Sequence, residues 1–560
     1  MLIDKWWKGD QSVTQSTQRP NIVFIFADDW GRYANAYAKF EGPDSINALI
    51  ETPNFNRVVD EGAIFTNAHV PVPSCTPCRS SILSGTYFWE TGLGAILEGG
   101  RWDESIPTYP LILEEKGYHI GYTYKVWSPG IAEDAPHGGY RAKYEPSGNK
   151  WREFSIEATK LVPEMGVEAA KEVLYDETRR NFASFLEDVP EGDPFCYWWG
   201  PVNTHRVWEK GSGKDLWGLD PDKLKGKMPD FLPDVHEIRE DFNDYLGEAQ
   251  AVDAGIGIIL EELDNIGELD NTLIVISGDH GIPGFPRSKA NLYDIGTQVT
   301  LAARWPQNIQ PGKVIHEFVN LMNLAPTFLE AAGETPPDQM VESLLPLMTA
   351  STSGESSFGS GYVITGRERH VALSQQDGKP YPSRAIRTQD YLYIRNFAPD
   401  RWPSGHPGEL IDPNIVDPEK MAELGAFRGM RSSVYHDLDG GPTKEWLLTN
   451  RSKPDVKPKF DLCFGKRPAE ELYDLKSDPD YLINVAGDPE YSETVKELSS
   501  KLLKTLQDRN DPRLEGENCK FEHPPFAGPV EAKWYEERYS QIEDRKRRAR
   551  ANSSKHLKSQ

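Results

Sequence analysis

Residues 21–27, Asn-Ile-Val-Phe-Ile-Phe-Ala, form an apolar run that stops abruptly at Asp28-Asp29. So short a run, rich in β-branched and aromatic side chains, predicts a strand buried on both faces. A second run, Thr272 to Ser277, ends at Gly278-Asp279-His280-Gly281. A strand buried on both sides needs helices on both sides, and residues 248–267 predict one. Val252, Ile256, Ile259, Leu260 and Leu263 recur there at helical spacing, and Gly267 supplies a stop. Helix followed by buried strand is the α/β pattern. In open α/β sheets ligands gather beyond the carboxyl ends of strands. Two acidic endings therefore predict one shared site.

From about Val363 the pattern changes to short alternating strands, Arg384 to Thr388 and Tyr391 to Arg395, followed by a helix near 491–508. The chain thus divides into an α/β domain over 20–365, a smaller α+β domain over 366–510 and an extension over 511–560. Pro- and Gly-rich stretches at 210–235 and 398–418 read as surface loops. The aromatic excess is a weak hint of a sugar-lined cleft, and core packing accounts for most of it. A net charge of -25 argues against nucleic acid as a partner, since that needs a basic footprint. It also disfavours a long polyanion outside a locally basic pocket. Residues 545–558 carry seven Lys or Arg and read as a solvated tail.

No apolar run reaches eighteen residues, so no membrane span is expected. The first twenty residues lack the basic start and apolar stretch of a signal peptide. The protein is therefore cytoplasmic, or periplasmic or secreted if a leader has been removed. A homo-oligomer is left open. Five cysteines do not make a disulfide framework, and only Cys75 and Cys78 lie close together.

Residues 74–79 read Ser-Cys-Thr-Pro-Cys-Arg and contain C-x-P-x-R, extended by Ser-Ser-Ile-Leu-Ser-Gly85-Thr. Here the chain resembles the formylglycine-dependent sulfatases of the alkaline-phosphatase superfamily, over roughly residues 20–510. The resemblance implies that a formylglycine-generating enzyme oxidises Cys75 to an aldehyde. Hydration of that aldehyde puts two hydroxyls on one carbon: one attacks sulfur, and deprotonation of the other expels sulfate and restores the aldehyde. The rival readings are a C-x-x-C redox pair and half of a zinc site. The zinc site would need two further ligands, whereas Cys196, Cys463 and Cys519 are isolated.

The same resemblance implies a large central mixed β-sheet flanked by helices and a C-terminal subdomain on a short antiparallel sheet. It implies one calcium ion held by Asp28, Asp29, Asp279 and His280 and touched by the group made from Cys75. It gives Arg79 a supporting role at the nucleophile, Lys125 and Lys289 the sulfate, and His205 the proton for the leaving group. One departure stands out: Trp127 occupies a position where the family usually has His. Gly281-Ile-Pro283 and Ala290-Asn-Leu-Tyr293 are most similar to the N-sulfoglucosamine sulfohydrolases. Relatives with this pattern also act on O-sulfated algal polysaccharides, so the implied substrate is a sulfated mono- or oligosaccharide. Arg206, His370 and Arg384 are candidates to read the sugar, or equally to be structural ion-pair partners. Two rival functions remain: a phosphodiesterase or phosphonate monoester hydrolase of the same superfamily, and a non-catalytic carbohydrate-binding protein.

Overall fold

A computed structural model describes residues 19–350 and 434–527 and, between them, 359, 361–372, 374–375, 378–411 and 419. The signal-peptide question and the basic tail fall outside those residues. Seven strands make the large sheet: β1 (Asn21–Ala27), β2 (Ala63–His69), β3 (His119–Tyr124), β4 (Phe195–Gly200), β5 (Thr272–Gly278), β6 (Leu301–Arg304) and β7 (Lys313–Asn320). Their order is β3-β4-β1-β5-β6-β2-β7. The pairs β3/β4, β4/β1, β1/β5 and β2/β7 are parallel, and β6 runs antiparallel to both of its neighbours. The sheet is mixed, as the resemblance implies.

The apolar run of β1 follows from its central place. Val23, Ile25 and Ala27 join one core cluster with Trp199 and Val252, while Ile22, Phe24 and Phe26 join another with Trp198 and Phe328. Alternate side chains thus enter opposite layers, and neither face can be polar. The largest buried rings, Trp30, Trp89, Trp151 and Trp199, all serve packing.

The helix expected over 248–267 runs from His236 to Asn265. Its first twelve residues extend the apolar stripe through Ile238, Phe242, Tyr245 and Leu246, and the buried acids between them meet partners on neighbouring loops. Asp241 pairs with Arg206, and Asp244 accepts from the backbone N–H groups of Gly211 and Gly213. Part of the loop expected at 210–235 is a short helix, Ser212–Trp217, packed on this long one.

The second sheet is antiparallel, in the order β11-β10-β9-β8, from β8 (Tyr362–Arg367), β9 (Ser383–Thr388), β10 (Tyr391–Asn396) and β11 (Glu470–Asp474). The helix Ser492–Asp508 covers it with Leu498, Leu502 and Leu506, spaced four apart on one stripe. Strand β8 straddles the boundary expected at 365/366. Residues 511–527, the described part of the extension, pack on this sheet: Asp511, Arg513, Cys519 and Phe521 are buried, and Cys519 and Phe521 belong to this smaller core. Phe88 and Trp89 of the first unit share that core, so the two units are fused through a common apolar layer.

Candidate active site

Four adjacent parallel strands, β3, β4, β1 and β5, point their carboxyl ends the same way, and the charged residues of the sequence motifs follow those ends. Beyond β1 and β5 the pairing continues for one more step: the Asp28 N–H donates to the Pro201 carbonyl (2.9 Å) and the Asp279 N–H to Ala27 (3.1 Å). The Asp29 N–H then donates to Asp279 Oδ1 at 2.7 Å, which locks the two acidic endings together. Asp29 adopts φ 57° and Tyr124, the last residue of β3, φ 68°. Such left-handed residues other than glycine are uncommon and persist where the surroundings over-determine them, often at functional sites. Gly200 lets the chain after β3 cross tightly over β4, since a Cβ there would lie 1.9 Å from the Lys125 carbonyl oxygen.

Cys75 is the first residue of the helix Cys75–Ser84, whose N-terminus faces the acidic endings. One turn on, the buried Arg79 guanidinium donates to Asp279 Oδ2 (2.9 Å), Asp28 Oδ1 (3.1 Å) and the Val126 carbonyl (3.1 Å). It thereby ties the helix to three strand ends. Lys125 Nζ lies 2.6 and 2.7 Å from the two Asp28 oxygens. Lys289 Nζ lies 2.8 Å from Asp29 Oδ2 and 3.3 Å from Asp439 Oδ2. The loop bearing Lys289 is pinned to the Cys75 loop by the Ala290 N–H, which donates to the Pro73 carbonyl at 2.7 Å.

These charges set one another. Burial opposes the Asp28 carboxylate, but Lys125 and Arg79 outweigh it and hold its pKa well below the usual range. Asp279 is shifted upward, because burial exceeds the help from His280 and Arg79. Burial raises the Cys75 thiol far above its ordinary value, with Asp28 adding to the effect. A thiol so placed stays protonated and is a poor nucleophile as it stands. Cys78 is raised likewise, and all five cysteines are free thiols. That environment is the opposite of a C-x-x-C redox site.

Two imidazoles have tautomers fixed by backbone carbonyls. His205 Nδ1 lies 2.6 Å from the Arg206 carbonyl, which can only accept, so Nδ1 carries hydrogen and Nε2 faces Asp29 Oδ2 at 3.9 Å. His280 Nδ1 donates to the Gly281 carbonyl (3.1 Å). Its Nε2 lies against Asp29 Oδ1 (3.2 Å), Cys75 Sγ (3.3 Å) and Asp279 Oδ1 (3.5 Å). An imidazole with one nitrogen tied to a backbone carbonyl and the other turned to carboxylates is arranged as metal ligands commonly are. Candidate ligand atoms of Asp28, Cys75 and Asp279 lie within 4.8 Å of one another, as do those of Asp29, Cys75 and His280. The donor set, hard oxygens with one imidazole, fits a divalent cation such as calcium.

The remaining sequence candidates lie elsewhere or face inward. Arg384 is fully buried, bonded to Asp511 (2.6 Å) and Glu368 (2.9 Å), and takes the structural alternative. Arg206 is bidentate to Asp241, at 2.5 and 2.8 Å, and stacks 4.0 Å over the Trp208 ring. His370 is buried, with Nδ1 at 2.8 Å from Ser74 Oγ, so it braces the residue before Cys75. Trp127 is also buried; its indole N–H donates to Ser80 Oγ at 2.8 Å and it fills core against Trp102. Asp439 was not singled out from sequence. The only local signal is Asp437-Leu-Asp-Gly-Gly441, with no apolar strand before it to mark a site.

Comparison with known proteins agrees with this geometry. Residues 20–334, more than half of the chain, match the family model described as Sulfatase. Residues 278–424 match the model described as N-sulphoglucosamine sulphohydrolase, C-terminal. An ulvan-active sulfatase of Formosa agariphila is 24% identical, over 89% of this chain and 77% of its own length. Human N-sulphoglucosamine sulphohydrolase is 24% identical, over 88% of this chain and 91% of its own. A structure solved with its substrate D-glucosamine-2-N,6-O-disulfate superposes with a TM-score of 0.56 at 20% identity, over 90% of this chain and all of that one. The C-x-P-x-R helix, the acidic strand ends and these matches lead to one conclusion: the chain belongs to the sulfatase family.

Proposed function

We propose that this protein hydrolyses a sulfate ester or N-sulfate of a carbohydrate, using Cys75 matured to formylglycine and a calcium ion held by Asp28, Asp29, Asp279 and His280. The observation that carries the reading is the convergence on one buried thiol of three carboxylates, three cations and an imidazole. The hydrated aldehyde supplies a hydroxyl to attack sulfur and a second one whose deprotonation releases sulfate. When bound there, a calcium ion would offset the charge of the carboxylates and supply Lewis-acid attraction for an anionic substrate.

The chain's own residues do the rest. Lys125 and Lys289 are ammonium donors on opposite carboxylates and can turn to grip the anionic group. Arg79 keeps Asp28 and Asp279 oriented and neutralises part of their charge. His205, with Nδ1–H held by the Arg206 carbonyl, presents Nε2 to the site; its protonated form can deliver that proton to the departing oxygen or nitrogen. The substrate class follows from the ulvan-active and N-sulphoglucosamine relatives, and the second unit is the source we expect for groups that read the sugar. Short or terminal sugars suit the acidic surface better than a long polymer.

The test is sulfate release from N-sulfoglucosamine, O-sulfated hexosamines and ulvan oligosaccharides, beside a phosphonate monoester and a phosphodiester. The reading expects a sulfated sugar to be turned over with the highest kcat/KM. Preference for the phosphonate or phosphodiester would replace it, and no turnover by protein carrying formylglycine would favour a binding role.

A further inference from the structure

Most of the charged groups around Cys75 are sealed from solvent. The side chains that keep exposure are His205 at 17%, Asp439 at 14% and Lys125 at 12%. Among the described residues these three therefore bound the mouth of the site, and Asp439 is the acidic one of them. Asp439 lies beyond both stretches that match family models, 20–334 and 278–424.

The loop that carries it is firmly built. The buried Lys444 ammonium donates to the carbonyls of Val434 (2.8 Å), Tyr435 (3.0 Å) and Leu438 (2.7 Å). Asp437 accepts from Arg367 (2.6 Å) and from the Val371 N–H (3.0 Å). Gly441 then packs so closely on the Arg206 guanidinium that a Cβ there would lie 2.8 Å from Arg206 Cζ. Thr443, at the start of the next helix, donates through N–H (3.2 Å) and Oγ1 (2.6 Å) to Asp241. Four anchors around one carboxylate fix its position as rotamer-locked binding groups require.

We propose that Asp439 is a specificity-determining residue: its carboxylate receives a hydrogen-bond donor that the sugar carries beside the sulfate being cleaved, and turns away sugars with a second anionic group there. The proposal rests on the sulfatase reading of the site. Asp439 Oδ2 is turned inward, buried, at 3.3 Å from Lys289, so the exposed part of the carboxyl group faces the mouth. A sulfate oxygen held by Lys289 at hydrogen-bond distance stands within about 6 Å of that carboxylate, given a bond of about 2.9 Å added to the ion-pair distance. A hydroxyl or ammonium neighbouring the ester falls inside that reach. A second sulfate or a carboxylate would instead meet a like charge in a poorly solvated setting. Lys289 keeps Asp439 ionised against burial, so the acceptor and the repulsion are both present at neutral pH.

The test uses the full-length matured enzyme and p-nitrophenyl glycosides of glucose, galactose and glucosamine carrying one sulfate. The best of these is compared with two analogues, one lacking the hydroxyl or amine beside the sulfate-bearing carbon and one bearing a second sulfate there. Wild type should lose about tenfold or more in kcat/KM on each analogue, the size of a hydrogen bond to a charged group. Asp439→Asn should turn over all three within about threefold of one another, because its amide neither repels an anion nor accepts as strongly. Wild-type enzyme that releases sulfate without either penalty overturns the proposal, with no variant needed. So does a folded D439N enzyme that keeps both penalties in full. No sulfate release from any probe sinks the underlying sulfatase reading, and this proposal with it.

Discussion

The molecule contains two clusters of buried charge built from the same side-chain types, and they differ in what completes them. At the base of the second sheet, Arg384 and Arg513 interlock with Glu368, Asp511 and Glu522. Arg384 bonds Asp511 at 2.6 Å and Glu368 at 2.9 Å, and its remaining nitrogen donates to the Arg367 (3.1 Å) and Ser383 (2.9 Å) carbonyls. Arg513 meets Glu368 at 3.1 Å and Glu522 at 2.6 Å, and Arg401 adds a second partner to Glu522 at 2.7 Å. Every charge there has an opposite neighbour within the chain. Around Cys75 each carboxylate also has a cation, Asp28 with Arg79 and Lys125, Asp279 with Arg79 and Asp29 with Lys289, but Asp29 and Asp279 each turn their second oxygen to His280 Nε2 instead, at 3.2 and 3.5 Å. Buried charge that is satisfied holds a fold in register. Buried charge left open to a cation and an anion is organised for chemistry.

That contrast can be broken by mutation. Cys75→Ala should lower turnover by about 10^4-fold or more, the scale of losing a nucleophile, while its melting temperature stays at the wild-type value. Sulfate release by the alanine variant near the wild-type rate would remove the site from the account. Arg384→Ala should do the reverse. Breaking a fully buried pair costs about 3–5 kcal/mol of stability, seen as a lower denaturation midpoint, with kcat per folded molecule retained. An Arg384→Ala protein of normal stability and poor kcat would make this residue part of the site after all.

Smaller effects sharpen the comparison. Lys289→Met should cost about 10^2–10^3-fold in kcat/KM, the size of removing one charge-stabilising donor. His205→Gln should cost about 10^2-fold or more on sugar sulfates but clearly less on p-nitrophenyl sulfate, whose leaving group needs no proton. Equal losses on both substrates would deny His205 the acid role. Calcium at about 100 times its Kd should stabilise wild type and Arg384→Ala alike by about 2.7 kcal/mol. It should do nothing for Asp279→Asn with Asp29→Asn, read as a shift in melting temperature on adding and chelating calcium.

How much of this could be read from sequence depended on whether a group announces itself locally. The strands β1 and β5 and their acidic ends were legible, because a central strand must be apolar throughout and stops where the site begins. Cys75 was legible through its motif, whereas the helix that carries it was not. The first twelve residues of the helix His236–Asn265 were not, although Ile238, Phe242, Tyr245 and Leu246 keep the apolar period, because the acids between them, which satisfy loop N–H groups, read as a polar surface stretch. Arg206, His370 and Arg384 could not be resolved between sugar contact and ion pair, because their partners Asp241, Ser74 and Asp511 lie 35, 296 and 127 residues away. Asp439 was invisible for a similar reason: only the anchoring by Lys444 and Arg367 brings its loop to the mouth of the site.

The central claim, that the open cluster serves a nucleophile made from Cys75, is tested most directly by peptide mass spectrometry across residue 75 of enzyme that is releasing sulfate. The peptide containing Cys75, Thr76 and Pro77 should carry the aldehyde, or its hydrate, in proportion to specific activity across preparations matured to different extents. Full activity from protein whose Cys75 remains an unmodified thiol would contradict the account.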